Sequence, residues 1–370
     1  MSKVKFGDIV REVKVNVDRE NNPYEFYVAG DHMDSEDLTI RRKGRFDTDD
    51  VGPAFTRIFK PGQILYGSRR TYLKKVAVAD FEGICANTTF VLESKDPNVF
   101  CQELLPFIIL SDEFSKWSIG HSKGSTNPYV LFSDLAGYEF DLPSIEEQKV
   151  LADKLWAAYK VKESYRQLLS TTDEMLKAKF QEMFGDFLVN DRNWLTMPMS
   201  EVAPESPSKH GNKGNVWNLN LDMIESNTGI VLEKVYAPFE DLNSVSAFDK
   251  GNVLYSKLRP YLNKVVVPDE EGYATTELIP LRPNPEFLNL CFFSHLLRSD
   301  KFVAYANSIA TGTKMPRVPM DGLRKFNCII PPMELQQQFA EIATQAETTK
   351  ASLRASIEAI DRVIKSLINQ

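Results

Sequence analysis

The sequence predicts an α+β fold written twice: two globular units in tandem, related by pseudo-two-fold symmetry, with a long helix after each. Three observations carry this expectation. The stretch "LYGSRRTYLKKVAV" at 65–78 returns as "LYSKLRPYLNKVVV" at 254–267. The match then keeps its register: an offset of 189 from Tyr66 with Tyr255 to Gly83 with Gly272, 188 from Asp112 with Asp300 to Pro128 with Pro316, and 189 again at Pro143 with Pro332 and Gln148 with Gln337. After each copy the chain runs for a long stretch with apolar residues at heptad spacing.

A period this long exceeds that of solenoid repeats, so each copy is large enough to be a domain. The expected division is 1–142 and 187–331 for the globular units, and 143–186 and 332–370 for the helices. Within each unit, segments rich in Tyr, Leu and Val read as strands joined by polar turns. The segment "LNLCFFSHLLRSDKFVAYAN" reads as helix, which completes an α+β unit. The first long helix is expected from Ile145 to about Met183, with Leu151, Leu155, Ala158, Lys162, Tyr165, Leu169, Thr172 and Leu176 as its seam and Gly185 as its stop. The second runs from Leu335 with Phe339, Ile342, Ala346, Thr349, Leu353, Ile357, Ile360, Ile364 and Leu367. Both begin behind a proline with acidic or Gln residues in the first turn. Seams this long are more than one small domain can cover, so the two helices are expected to pair as a coiled coil. The alternative is that each packs only on its own globular unit.

Composition limits what the chain does. With 43% apolar and 26% charged residues it is a folded globular protein, and no run of eighteen apolar residues predicts a membrane span. The start, "MSKVKFGDIVREVK", lacks the apolar core of a signal peptide. Cys85, Cys101, Cys291 and Cys328 lie far apart, as reduced thiols of a cytoplasmic protein do. A net charge of −7 counts against a free-standing, non-specific DNA binder. Any nucleic-acid role must rest on local patches or on basic partners.

Two kinds of patch recur in both copies. "RRTYLKK" supplies Arg69, Arg70, Tyr72, Lys74 and Lys75, and "KLRPYLNK" supplies Lys257, Arg259, Tyr261 and Lys264. On a strand, Arg70, Tyr72 and Lys74 would share one face, and cations beside an aromatic suit phosphate contact and guanine readout. The alternative is a solvated strand with Tyr72 and Tyr261 packed inward. The loops "HSKGSTNPYV" and "IATGTKMPRV" supply Lys123, Ser125 and Thr126, and Thr313, Lys314 and Arg317. Small hydroxyl residues and glycine let backbone approach a phosphate, although an ordinary polar turn explains them equally well. "RRKGR" at 41–45 is a cationic cluster of the first unit only, and a solvated loop is the simpler reading.

Catalytic patterns are missing. "NNPYEF" and "TNPYV" lack the second proline of the amino-methyltransferase motif, and no glycine-rich donor loop accompanies them. No phosphate loop or nucleophile elbow occurs, and His32, His121, His210 and His295 show no ligand spacing. No catalytic, cofactor-binding or metal residue is expected.

With the repeat, helices and loops in hand, the chain resembles the specificity subunit of Type I restriction-modification systems. The words that match are "GSTNPYVLFSDLAGYEFDLPSIEEQK", "KAKFQEMFGD", "LRPYLNKV", "ATGTKMPRV" and "PPMELQQQF", and the likeness runs over essentially the whole chain. It departs at "PSIEEQ", where the family often has two prolines, and the family leads one to expect a few residues beyond Gln370. The resemblance implies a non-catalytic DNA-reading subunit. Its globular units would be target recognition domains, each reading half of a split target in double-stranded DNA. Its helices would form an antiparallel coiled coil that sets the unspecified gap. It further implies two methyltransferase (modification) subunits as partners, which carry S-adenosylmethionine, and restriction subunits, which use ATP and Mg. The recognition domains are the variable part of that family, so the resemblance transfers no base contacts. The rival readings are a coiled-coil adaptor without DNA specificity and a complete methyltransferase.

Overall fold

The computed structural model describes residues 2–18, 21–208 and 214–369, and His210 lies outside them. It divides into two compact units, Met1–Arg166 with Arg354–Gln370, and Gln167–Leu353. The division falls inside both long helices, Ile145–Phe184 and Met333–Ile368, so each helix contributes to both units.

In the first unit, Ser2–Lys5 pairs antiparallel with Glu139–Leu142, closing the globular region just before the long helix. One four-stranded sheet has the order Val10–Glu12, Thr89–Ser94, Ile64–Gly67, Val76–Val78, with every neighbour antiparallel. A second has the order Gly44–Arg45, Phe26–Val28, Gly83–Ala86, Phe55–Phe59, and its one parallel pair is Phe26–Val28 with Gly83–Ala86.

The second unit repeats the plan. Leu195–Pro198 closes on Asn327–Ile330. Val265–Val266, Val253–Ser256 and Leu278–Leu281 form an antiparallel sheet. Val235–Pro238, Asn215–Leu219, Gly272–Thr275 and Val245–Phe248 form the other, again with one parallel pair, Asn215–Leu219 with Gly272–Thr275. Leu, Val, Ile and Tyr dominate the central strands of both units, whose two faces are buried.

The segment read as one helix is two, Leu290–Arg298 and Asp300–Ile309, broken at Ser299, whose hydroxyl accepts from the Phe302 N–H. Ser111 does the same for Phe114 before Asp112–Gly120. A serine hydroxyl satisfies one of the orphan donors of a helix start, so it favours a new start over continuation.

The first long helix opens with a capping box: the Ser144 hydroxyl accepts from the Glu147 N–H, and the Glu147 carboxylate accepts from the Ser144 N–H. It stops where Gly185 takes φ +75°. A Cβ there would lie 2.1 Å from the Asp191 carboxylate, so glycine is required on two counts.

The seams differ from expectation by one residue at alternate positions. The first helix buries Gln148, Ala152, Leu155, Tyr159, Lys162, Leu176 and Phe180, with Leu169 partly covered; Leu151 and Tyr165 are only partly buried beside this line. The second buries Gln336, Phe339, Ala343, Ala346, Lys350, Leu353 and Ile364, with Ile342 and Ile360 partly buried. At the displaced positions the buried residues are Ala152, Tyr159, Ala343 and Lys350, so taking the larger apolar neighbour selects Leu151 and Ile342 instead. Lys162 lies in the seam as its spacing predicts, and Gln148, Gln336 and Lys350 are buried there as bonded polar side chains.

In the first unit the Lys162 ammonium meets Asp361 at 2.5 Å, and in the second Lys350 meets Asp173 at 2.6 Å. Both lysines are nearly inaccessible and both carboxylates half-exposed, so each charge pair keeps one hydrated end. In the second unit, Phe180 and Phe184 of the first helix pack on Phe339, while Asp173 pairs further along with Lys350. The two helices therefore run antiparallel there. These pairs also correct the repeat register: Gln148 corresponds to Gln336 and Pro143 to Pro331, at 188.

A buried acid ties the first unit's loop to its helix. Asp37 is 4% exposed. Burial would raise its carboxyl pKa, but hydrogen bonds from Arg41, Tyr159 and the Thr39 N–H, with Arg166 nearby, hold it below the usual carboxylate range. A depressed folded-state pKa means the stabilisation is present above the unfolded value and disappears as the pH falls through the folded one. Asp37→Asn is expected to cost about 3 kcal/mol near neutrality, because it leaves Arg41 and Arg166 without their buried partner. Urea unfolding checks this, with the deficit shrinking below a pH of about 4.

Candidate nucleic-acid interface

The repeated words do not form a strand face. After Ile64–Gly67 the chain enters a single 3-10 turn, Thr71–Leu73, flanked by Arg70 at φ 50° and Lys74 at φ 46°. The second copy does the same: Pro260–Leu262 sits between Arg259 at 49° and Asn263 at 47°. Left-handed backbone costs a non-glycine residue about 1–2 kcal/mol. Such strain persists only where surrounding bonds over-determine it. Period-two alternation therefore does not apply, and Arg70, Tyr72 and Lys74 do not share a strand face.

The bonds that hold the turn come from the glycine loop. The Arg70 N–H donates to the Pro128 carbonyl at 2.7 Å, and the Val130 N–H to Ser68 at 2.9 Å. In the other unit, Arg259 donates to Pro316 at 2.7 Å and Val318 to Lys257 at 2.9 Å. Each loop is itself a small hairpin: Lys123 and Tyr129 exchange two backbone bonds, as do Thr311 and Arg317. Gly124 at φ 88° and Gly312 at φ 100° make the reversal. The outcome in each unit is a rigid frame of one strained turn and one hairpin, joined through backbone.

Side chains on the frames divide into free and committed groups. Arg69, Arg70, Ser125, Thr126, Thr313 and Lys314 are exposed, and among the described residues none of these cations has an ion-pair partner. Tyr72 and Tyr261 are 53% and 50% exposed, so neither ring packs inward. They present aromatic surface at the same point of both turns.

Most of the remaining cations are engaged. Lys74 bridges Glu36 at 3.2 Å and Asp112 at 3.3 Å. The Lys75 ammonium donates to the Gly30 carbonyl, and Lys264 to the Leu221 carbonyl at 2.6 Å. Lys123 meets Asp134 at 3.0 Å and Arg317 meets Glu277 at 3.1 Å. Lys257 is half-buried, and the Arg259 Nε is buried without a partner. Lys75 and Lys264 thus act in holding loops together rather than on the outer surface. In "RRKGR", Arg41, Arg42 and Arg45 pair with acids and the Lys43 ammonium lies 3.5 Å from the Phe26 ring centre, which leaves a structured loop.

Three frame residues were not singled out from sequence: Tyr129, Asp134 and Glu277. Tyr129 stands opposite Arg317 in the repeat alignment and Thr88 opposite Glu277, so aligning the copies around the hairpins is the signal that locates Tyr129 and Glu277. The cysteines are free and, among the described residues, no group of His, Cys, Asp and Glu could hold a metal ion. No helix of the described residues is long and apolar enough to cross a membrane.

Comparison with known proteins follows this geometry. The model of the Type I restriction modification DNA specificity domain matches the chain twice, at residues 11–169 and 204–362. The specificity subunit of the type I restriction enzyme EcoDI of Escherichia coli is 22% identical over 316 residues, covering 70% of this chain and 69% of that protein. The S subunit of a type I restriction-modification system from M. genitalium superposes with a TM-score of 0.56 at 14% identity, over 99% of this chain and 94% of that one. A chain from a type I R-M system solved to explain its complex assembly and conformational transition gives 0.55 at 18% identity, over 99% and 96%. At these identities the solved structures speak for the fold.

Free and committed cations separate in stability measurements. Arg70→Ala and Lys314→Ala are expected to leave unfolding unchanged to within about 0.5 kcal/mol. Lys264→Ala is expected to cost about 2 kcal/mol, since it strips a charged donor from a half-buried carbonyl. Urea titration of the three variants checks this.

Proposed function

The chain belongs to the Type I restriction modification DNA specificity family, and we propose that it reads a split double-stranded DNA target, one half-site with each globular unit. The observation that carries this is the duplicated frame: the same strained turn and hairpin, held by the same backbone bonds, carrying different side chains in the two copies. A frame that is constant in backbone and variable in side chain suits a reader of two different half-sites. Exposed Arg69, Arg70 and Lys314 suit phosphates, and the rings of Tyr72 and Tyr261 suit sugar or base contact.

The chain's own part is recognition, and the chemistry belongs to its partners. Two methyltransferase subunits would carry S-adenosylmethionine, and restriction subunits would add ATP- and Mg-dependent steps. An acidic chain of net charge −7 binds DNA more readily when partners share the electrostatic work. The pairs Lys162–Asp361 and Lys350–Asp173 suit a helix pair whose register must not slip, because a buried charge moved off its partner is strongly penalised. Such a pair serves as a ruler for the unspecified gap.

The ruler is tested by inserting one heptad into each long helix, after Arg166 and after Leu353. Seven residues add about 10 Å, or roughly three base pairs. The expected target keeps both half-sites and gains a gap about three base pairs longer. An unaltered gap contradicts the ruler.

A further inference from the structure

We propose that Arg317 and Glu277 form a prebuilt pair that reads one G·C base pair in the half-site of the second unit. The inference rests on the reading that the frames face DNA. In the second frame Arg317 closes the hairpin, and the Glu277 carbonyl accepts from the Lys257 N–H at 3.0 Å. In the first frame Tyr129 closes the hairpin, and the Thr88 carbonyl accepts from the Ser68 N–H at 2.9 Å. The four residues occupy matching backbone positions. Tyr and Thr stand in one copy where Arg and Glu stand in the other.

The Arg317 Nε donates to the Glu277 carboxylate at 3.1 and 3.4 Å, and the two side chains are 47% and 23% exposed. The contact is made through Nε, and among the described residues neither terminal nitrogen of the guanidinium makes a hydrogen bond. A carboxylate on a DNA-facing surface would repel phosphate. Its presence on a DNA-facing frame makes sense where it meets an amino group. In the major groove G offers O6 and N7 to a guanidinium, and its partner C offers the N4 amino group to a carboxylate. Glu277 also holds Arg317 in one orientation before DNA arrives, which lowers the ordering cost on binding.

The corresponding acid contact of the first unit is different in kind. The Asp134 carboxylate takes both Lys123 at 3.0 Å and the Leu131 N–H at 3.3 Å, at the start of the helix Phe132–Ala136. It is committed to capping and has no counterpart of this reading role.

The test uses the full chain assembled with its methyltransferase subunits, selecting bound duplexes from a random pool. Arg317→Tyr with Glu277→Thr transplants the first unit's side chains onto the second frame. Discrimination for G·C is expected to fall roughly ten- to hundredfold at one position of one half-site, with all other positions unchanged. Glu277→Gln keeps the size and the contact to Arg317, and relaxes the same position more mildly; it decides the matter if the double variant does not assemble. An unchanged motif, or losses spread over both half-sites, overturns the proposal. So does a parent motif without G·C in the affected half. A parent complex that selects no motif overturns the underlying reading instead.

Discussion

One buried amide in each unit fixes where the long helix meets the globular region. Gln148 is fully buried; its Oε1 accepts from the Cys101 N–H at 2.9 Å, and its Nε2 donates to the carbonyls of Pro143 and Val99 at 2.9 and 3.1 Å. Gln336 makes the same three bonds with Asn289, Pro331 and Phe287, between 2.8 and 2.9 Å. Without the amide the backbone groups of buried Cys101 and Pro331 would lose these partners, a cost of about 1–3 kcal/mol apiece. No apolar residue can replace it, and a shift of one residue along the helix would break all three bonds. The base of each helix is thereby pinned to the strands and short helices that carry its unit's frame.

Above that anchor, the frames separate backbone from side chain. Strained residues at Arg70 and Arg259 are bonded to the hairpins through main-chain atoms, while Lys74 and Asn263 add side-chain contacts on the inner side of each turn. The exposed side chains of turn and hairpin can therefore change without disturbing the scaffold. That is the property a recognition surface needs when its specificity varies and its geometry must not.

Much of this was legible in the sequence because duplication preserves words that packing depends on. "YGSRRTYLKKVAV" and its copy mark a buried strand and the turn that follows, and Gly185 marks the end of a helix. The seam was legible to within one residue. Leu151 and Ile342 are the larger apolar neighbours of the buried Ala152 and Ala343, and Lys350 holds a seam position through an ion pair that no hydrophobic pattern announces; Lys162, placed there by its spacing, is held in the same way. The turn was misread as strand because its conformation is imposed by Pro128 and Pro316, some sixty residues away in each unit. Charge was the least legible property: Lys75 and Lys264 look like surface cations in the sequence and are bonded to backbone carbonyls in the fold.

The most direct test of the account is to express the chain with the methyltransferase subunit proposed as its partner and map N6-methyladenine across the host DNA, with a matched sample lacking the chain. The account predicts a split motif with a constant unspecified gap that vanishes when the chain is omitted. Methylation that is unchanged without the chain, or a motif read as one uninterrupted block, would contradict it.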